Sequence, residues 1–479
     1  MACYNSLMPP CRSRAAAVLA PLAATALLLA ACSSSTGSSS TTSASGAATD
    51  ATTCSPASLS GATSPVTINF WESMPRANGQ TLQALTDSFN SSQTKVHVNL
   101  VVQTSYNDTW QKYQAGLTND QLPDVVQLQD TDTQGAIDTR SIQPVQNCFN
   151  GFHYSVGDLL PRALAYWNVG KVQQAMPFAV SGPVLYYNKL AFSKAGLDPN
   201  TPPSTLAALV ADAKTLKAAG QGGMGLKLDP WYLETQLATA DKLFVDNSNG
   251  RTARATKAVF AGPTGTQVFS SLDQLVSSGS ASTNSVAGAD AYDNLLGVGS
   301  GKYAMTIDTS AALGTIEQLL SQYPNVQLGV APFPTVQSTP TGGVEPGGSA
   351  LWISNKTSPA KQSAAWEYIA FLDSTASQAT WSAGTGYIPL RTSSAQSPTI
   401  QSLWATSPQF KVAYTQLISG VLTPATAGAV LGPYDDVRTA ISNAENSMFT
   451  NGTSPAAALA QAQAASDALI ATYNQRVGG

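Results

Sequence analysis

The first ordered pattern along the chain is Val66-Thr-Ile-Asn-Phe-Trp71, where every second side chain falls on one face, the period of a half-buried strand. Gly79 to Asn90 then switches to helical spacing, with Leu82, Leu85 and Phe89 on one face. Val96 to Val102 predicts a second strand, Tyr106, Trp110, Tyr113 and Leu117 mark a second helix, and Asp124 to Gln129 predicts a third strand. Strand, helix, strand, helix, strand at this spacing predicts a parallel sheet, because parallel neighbours need a crossover between them. No Gly-rich phosphate fingerprint follows any of these strands, so a nucleotide-binding domain is not supported.

The alternation continues to the end of the chain. Val184 to Tyr187 is an apolar and aromatic run of strand length, and Asn188 can cap a helix whose apolar face is Leu190, Phe192 and Ala195 and which Gly196 ends. Asp198 to Ser204 makes an extended turn, and Ser204 can cap a helix reaching Gly220. Gly223 to Leu228 is a weak strand, Trp231 to Phe244 and Gln267 to Val276 are helices, and Lys302 to Asp308 is a buried strand meeting a helix near Ser310. Gln327 to Ala331 is a strand closed by Pro332 and Pro334. Ser349 to Ser354 is a strand after a Gly-rich loop, Pro359 to Leu372 a helix, Gly384 to Leu390 an irregular loop, and Ser454 to Tyr473 an Ala-rich helix. At 479 residues the chain is long enough for two lobes with extras.

The first 64 residues depart from this pattern. Arg12 and Arg14 precede an apolar run from Ala15 that ends in Leu29-Ala-Ala-Cys32, the charged, apolar, small-residue order of a secretory signal. The small-small-Cys ending resembles a lipobox, which predicts a signal peptide over 1–31 and a lipid on Cys32. The alternative is an ordinary signal peptide cleaved near Ala31; a spanning helix would need roughly 18 apolar residues or more. Residues 32–64 are almost entirely Ser, Thr, Gly and Ala and predict a flexible tether. Cys3 and Cys11 fall in the leader, which leaves Cys54 and Cys148 either as a disulfide fastening the tether to the first lobe or as two buried thiols.

Composition narrows the function classes. Charged residues are 11% of the chain, against roughly 25% in an ordinary soluble protein. A net charge of -4 without basic clusters argues against nucleic acid as a partner. His97 and His153 are the two histidines, and neither has neighbours at metal-ligand spacing, so no metal and no cofactor are expected. No nucleophile elbow accompanies them. Paired carboxylates far apart in sequence keep a secreted glycoside hydrolase as the alternative class, with an adhesive lipoprotein third.

Five segments resemble the extracellular solute-binding proteins of ABC importers, in their carbohydrate and glycerol-3-phosphate branch. They are Phe70-Trp-Glu-Ser-Met74, Pro177 to Pro199 with its Val-Leu-Tyr-Tyr-Asn-Lys core, Ala304-Met-Thr306, Gly347-Gly-Ser-Ala-Leu-Trp352 and Thr385-Gly-Tyr-Ile-Pro389. The resemblance implies an α/β, two-lobed periplasmic-binding-protein fold of type II with a hinge and discontinuous lobes. Lobe 1 is expected over 65–179 plus 330–390 and lobe 2 over 180–329 plus 391–479, with crossings near Val180, Val330 and Leu390. It implies a monomeric binding protein rather than an enzyme, lipid-anchored on the outer face of the cell membrane and serving ABC permease subunits.

The same resemblance supplies the candidate ligand site, in a cleft at the carboxyl ends of the strands. Trp231 would stack on the ligand, and the alternative is a core tryptophan. Asp130 would accept hydroxyl hydrogen bonds, or else cap the next helix. Tyr106 and Ser181 offer an aromatic and a hydroxyl, Ser310 a second hydroxyl, and Gly347 and Gly348 close-approaching amides, each with a capping, packing or turn role as its alternative. Tyr387, in a Gly-x-Gly-Tyr-x-Pro loop, is expected outside the core, and Trp71 and Glu72 are expected at the cleft edge. One departure concerns charge: Val430 stands where the family carries a phosphate-holding arginine, and Arg438 lies two turns further on, out of expected reach. A neutral sugar, oligosaccharide or polyol is therefore expected ahead of glycerol 3-phosphate, with glycerophosphodiesters between.

Overall fold

The computed structural model describes residues 54–284, 292–323 and 325–478, so the signal peptide, Cys32 and most of the tether lie outside the described residues. In the first lobe Val66–Glu72 lies parallel between Val96–Val102 and Val125–Gln129. The late strand Gly347–Ser354 joins this sheet antiparallel beside Val125–Gln129, pairing Trp352 with Val126. Ile142–Gln143 and Met176–Ser181 both pair antiparallel with it. The helix Arg76–Ser92 buries Leu82, Leu85 and Phe89, the stripe that the sequence pattern marks out. Pro359–Leu372 covers the same sheet, and its Tyr368 bonds Thr86 Oγ1 at 2.6 Å. Cys54 is disulfide-bonded to Cys148, with Cα atoms 4.9 Å apart, and Ser55 N donates to Ser363 Oγ of that covering helix.

The second lobe is a five-stranded sheet in the spatial order Ala281–Asn284, Met224–Lys227, Met305–Thr309, Pro183–Asn188, Leu328–Pro332. Pro183–Asn188 is buried along its whole length. Its Leu185 and Tyr187 face the second lobe's own core, while Val184 and Tyr186 face a core shared with the first lobe. That double burial explains why the run reads as continuously apolar instead of alternating.

The chain passes between the lobes at three places. Gly182, between Ser181 of one sheet and Pro183 of the other, makes the first. The second was expected near Val330 and lies instead after Val344. Leu328–Pro332 pairs antiparallel with Pro183–Asn188, and Phe333 and Val344 still pack in the second core. The third was expected near Leu390, yet the chain stays on the first lobe well beyond it. Arg391 pairs with Asp373 at 2.8 Å, and Ala413 and Leu417 pack in the first core, whereas Ala429 and Leu431 belong to the second. Short helices at Pro398–Thr406 and Val412–Ser419 bury too few apolar residues to announce their lobe in the sequence.

Two arginines, Arg162 buried and Arg251 half-buried, tie the two later crossings together. Arg162 donates from Nη1 to Leu417 O at 2.7 Å and from Nη2 to Val344 O at 2.5 Å, so one first-lobe side chain holds both later crossings. Arg251, from the second lobe, donates to Gly428 O at 2.8 Å and to Ala165 O at 2.9 Å, and also to Ala427 O.

Burial lifts several carboxyls above the usual carboxylate range. Asp373 accepts from Arg391 and Tyr154. Burial nevertheless pushes it up to about 6, against the pull of Arg391. Burial pushes Glu445, on the helix Tyr434–Asn451, up to about 8, with Asp229 adding to the rise, and its Oε2 has no hydrogen-bond partner among the described residues. An acid whose folded pKa is raised contributes stability that is full below its unfolded value, roughly 4, and is lost as pH rises through the folded value. Melting temperature should therefore fall between pH 5 and pH 8.5, and Glu445→Gln should flatten the upper part of that fall. A calorimetric series across this range checks both; a melting temperature that climbs with pH would contradict the assignment.

Candidate functional site

The cleft between the lobes contains a cavity of ≈ 80 Å³. Its first-lobe wall comes from the residues that follow strands. Asp130 follows Val125–Gln129, and Tyr106 starts the helix after Val96–Val102, held there by Ser105 capping Asp108 N. The crossings supply Ser181, Gly347 and Gly348. The second-lobe wall holds Lys227 at the end of one strand with Asp229 just after it, Asp308 and Thr309 at the end of another, and Trp231 and Arg438 from two helices. The strand ends of both sheets thus converge on one site, as open α/β sheets favour.

Trp231 begins the helix Trp231–Thr239, its backbone N donating to Asp229 Oδ1 at 3.1 Å. The indole is 8% exposed and lies so close over Gly347 that a Cβ there would sit 2.5 Å from ring Cζ2. Its Nε1 is buried with no hydrogen-bond partner among the described residues. A buried unmet donor is costly; Trp167, Trp352 and Trp381 leave theirs unmet in the core, and of these four Trp231 alone lines the cleft, where an incoming acceptor can reach the N–H. Gly348 has φ +119, and a Cβ there would meet Ala179 O at 1.9 Å, so only glycine fits. That backbone brings Gly348 N to Asp130 Oδ2 at 3.0 Å. Burial raises Asp130 to about 7; Arg438 opposes the rise and Glu234 assists it. Near neutrality this carboxyl can either accept or donate a hydrogen bond to a hydroxyl.

Of the residues singled out in the sequence, Tyr106, Asp130, Ser181, Trp231, Gly347, Gly348 and Tyr387 line the cleft. Three do not. Ser310 holds the first crossing, its N donating to Gly182 O at 2.9 Å, and its neighbour Thr309 takes the wall position, bonding Ser181 Oγ at 2.9 Å. Glu72 is buried, accepting from Met74 N at 2.6 Å, and so shapes the turn that puts Met74 on the wall. Trp71 points to the opposite face of its strand and packs against the first core. Tyr387, expected outside the core, is buried and stacks on Trp381 with centroids 5.3 Å apart at 11°, while still lining the cleft.

Four charged wall residues, Lys227, Asp229, Asp308 and Arg438, are ones that the sequence reading does not place in the site. Lys227 Nζ lies 3.2 Å from Asp308 Oδ1, and Asp308 also accepts from Asn294 Nδ2 at 2.9 Å. Arg438 does reach the cleft, contrary to expectation. Its helix brings it onto the wall, where Nε and Nη2 clasp the two oxygens of Glu234 at 2.9 and 2.6 Å. Its guanidinium lies over the Tyr434 ring at 5.1 Å. Val430 is buried, with its N donating to Asn249 O. Lys227 and Asp308 sit at the carboxyl ends of predicted strands, and that position alone could have flagged them. Among the described residues no cluster of three or more His, Cys, Asp or Glu could hold a metal ion, and no helix is long and apolar enough to cross a membrane.

Comparison with known proteins gives the same picture. The sn-glycerol-3-phosphate-binding periplasmic protein UgpB of Yersinia pseudotuberculosis is 25% identical over 417 residues, spanning 85% of this chain and 93% of the relative. Its counterpart in Pectobacterium atrosepticum is 26% identical over 424 residues, spanning 87% and 94%. UgpB from Mycobacterium tuberculosis, solved in complex with glycerophosphocholine, has the same fold at a TM-score of 0.71 and 21% identity, covering 86% of this chain and 100% of that one. The GacH receptor of Streptomyces glaucescens, solved unliganded and with acarbose, follows at 0.70 and 22%, covering 85% and 98%. Residues 84–409 match the bacterial extracellular solute-binding proteins, and the chain belongs to that family.

Proposed function

We propose that this protein captures a polyhydroxyl solute outside the membrane and hands it to the permease subunits of an ABC importer. The solute is a sugar, oligosaccharide or polyol, with glycerophosphate-type solutes as the alternative. The observation that carries this reading is Trp231. Its ring lies buried over Gly347 on the wall of a two-lobed cleft, with an unmet indole N–H. An aromatic face suits the C–H side of a sugar or glycerol unit, while Asp130, Ser181 and the N–H serve its hydroxyls. The names of the relatives, which bind glycerol 3-phosphate, glycerophosphocholine or acarbose, support the same solute class. Binding without turnover is the function we assign, by a monomer whose two lobes close on the solute.

A thermal-shift screen of sugars, polyols and glycerophosphates tests this. A true ligand at 100 times its dissociation constant should stabilise the protein by about 2.7 kcal/mol. Trp231→Ala should abolish that shift; a shift that survives the substitution returns Trp231 to a packing role. Hydrolysis of a glycoside by the purified protein would sink the binding-only reading.

The lipid anchor on Cys32, outside the described residues, belongs to the same proposal. The expressed protein should sediment with membranes, and Cys32→Ala should release it or block processing. A membrane-free mature chain that begins with unmodified Cys32 would refute the anchor.

A further inference from the structure

Resting on the cleft reading above, we infer that Glu234 is the charge filter of this site. By occupying Arg438 it sets the cleft to accept solutes of zero net charge and to refuse phosphomonoester dianions. The accepted class comprises neutral sugars and polyols and zwitterionic phosphodiesters.

The cleft wall carries five charged side chains, Asp130, Lys227, Asp229, Asp308 and Arg438. Each cation is already matched. Lys227 is paired with Asp308, with side chains 4% and 1% exposed, and Arg438 with Glu234, at 15% and 0%. After pairing, the wall retains Asp130 and Asp229, so among the described residues it offers an incoming anion no uncompensated cation. A phosphomonoester would have to shed its water against these acids, and the fork by which arginine clasps phosphate is occupied by a carboxylate instead. A buried ion pair gives little or no stability over a well-packed apolar pair of the same size. Its position on the wall of the cleft therefore points to the ligand rather than to the fold. Arg76 is the nearby exception: it is exposed and lies over Tyr292, a wall residue, at 5.2 Å. An exposed charge is screened by salt, so it steers anions more than it selects them.

The filter predicts its own inversion. Glu234→Gln keeps the side-chain volume and leaves Arg438 seated over Tyr434, but without the carboxylate that clasps its fork, Asp130 and Glu345 remaining as the acids nearby. Titration calorimetry with sn-glycerol 3-phosphate and with glycerophosphocholine reads the effect. Wild type should bind sn-glycerol 3-phosphate weakly or not at all. Glu234→Gln should strengthen that binding by about tenfold or more, the size expected for one freed charge-assisted contact. Adding Arg438→Met to Glu234→Gln should remove the gain. No gain in Glu234→Gln, a gain that survives Arg438→Met, or strong wild-type binding of the monoester that disappears in Arg76→Ala would each overturn the inference. Should Glu234→Gln fail to melt cooperatively, Asp229→Asn carries the test with the ion pair intact. It removes one uncompensated wall acid, keeps an acceptor for Trp231 N, and must also strengthen sn-glycerol 3-phosphate binding, or the inference falls. The cleft reading is judged separately: probe binding that ignores Trp231→Ala refutes the cleft, whereas Trp231-dependent binding without charge discrimination refutes only the filter.

Discussion

Guanidinium groups fasten the two later passages of the chain between its lobes, as Ser310 N fastens the first at Gly182, and the placement of the cleft depends on those passages. Arg162 reaches from the first lobe to the carbonyls of Leu417 and Val344, and Arg251 reaches from the second lobe to Ala165 and Gly428. A guanidinium held by carbonyls alone is an expensive way to hold backbone, because its charge has been taken out of water, and Arg162 Nε is left without a hydrogen-bond partner among the described residues. The cost shows in Arg162, which burial draws down to about 10. The return is directional: several carbonyls from distant segments are fixed around one planar group. With the crossings held there, the strand ends of both sheets face one cleft.

The cleft is economical with charge in the same way as the chain. Only 11% of residues are charged, yet several are spent in buried pairs on or behind the ligand wall. The relatives of known name include binders of glycerol 3-phosphate and of acarbose, so the fold itself does not decide between anionic and neutral solutes. What decides is local: whether an arginine on the wall presents its fork to the cleft or to a neighbouring carboxylate.

Much of this was legible beforehand. The alternation of Val66–Glu72 and the stripe of Leu82, Leu85 and Phe89 announce a sheet and its covering helix through periodicity alone. Asp130, Trp231 and the Gly347-Gly348 pair were identified because a family resemblance marked positions that local geometry then makes necessary. The lobe boundaries were not legible, since Leu328–Pro332 reads the same whichever sheet it joins, and pairing with Pro183–Asn188 is a long-range choice. Ser310 missed the wall by one residue because a tight turn after Met305–Thr309 decides which hydroxyl faces the cleft. Arg438 was dismissed on sequence distance from Val430, but helix direction, not separation along the chain, carries a side chain to a site.

The account's central claim is that solute is held between two lobes that move about the crossings. Small-angle scattering of the purified protein, without solute and with a saturating solute found by the thermal screen, measures that motion most directly. Contacts that exist only when both walls meet the ligand shift the balance toward the closed form. The account predicts a smaller radius of gyration with solute present. An unchanged radius, with the solute demonstrably bound and dependent on Trp231, would contradict it.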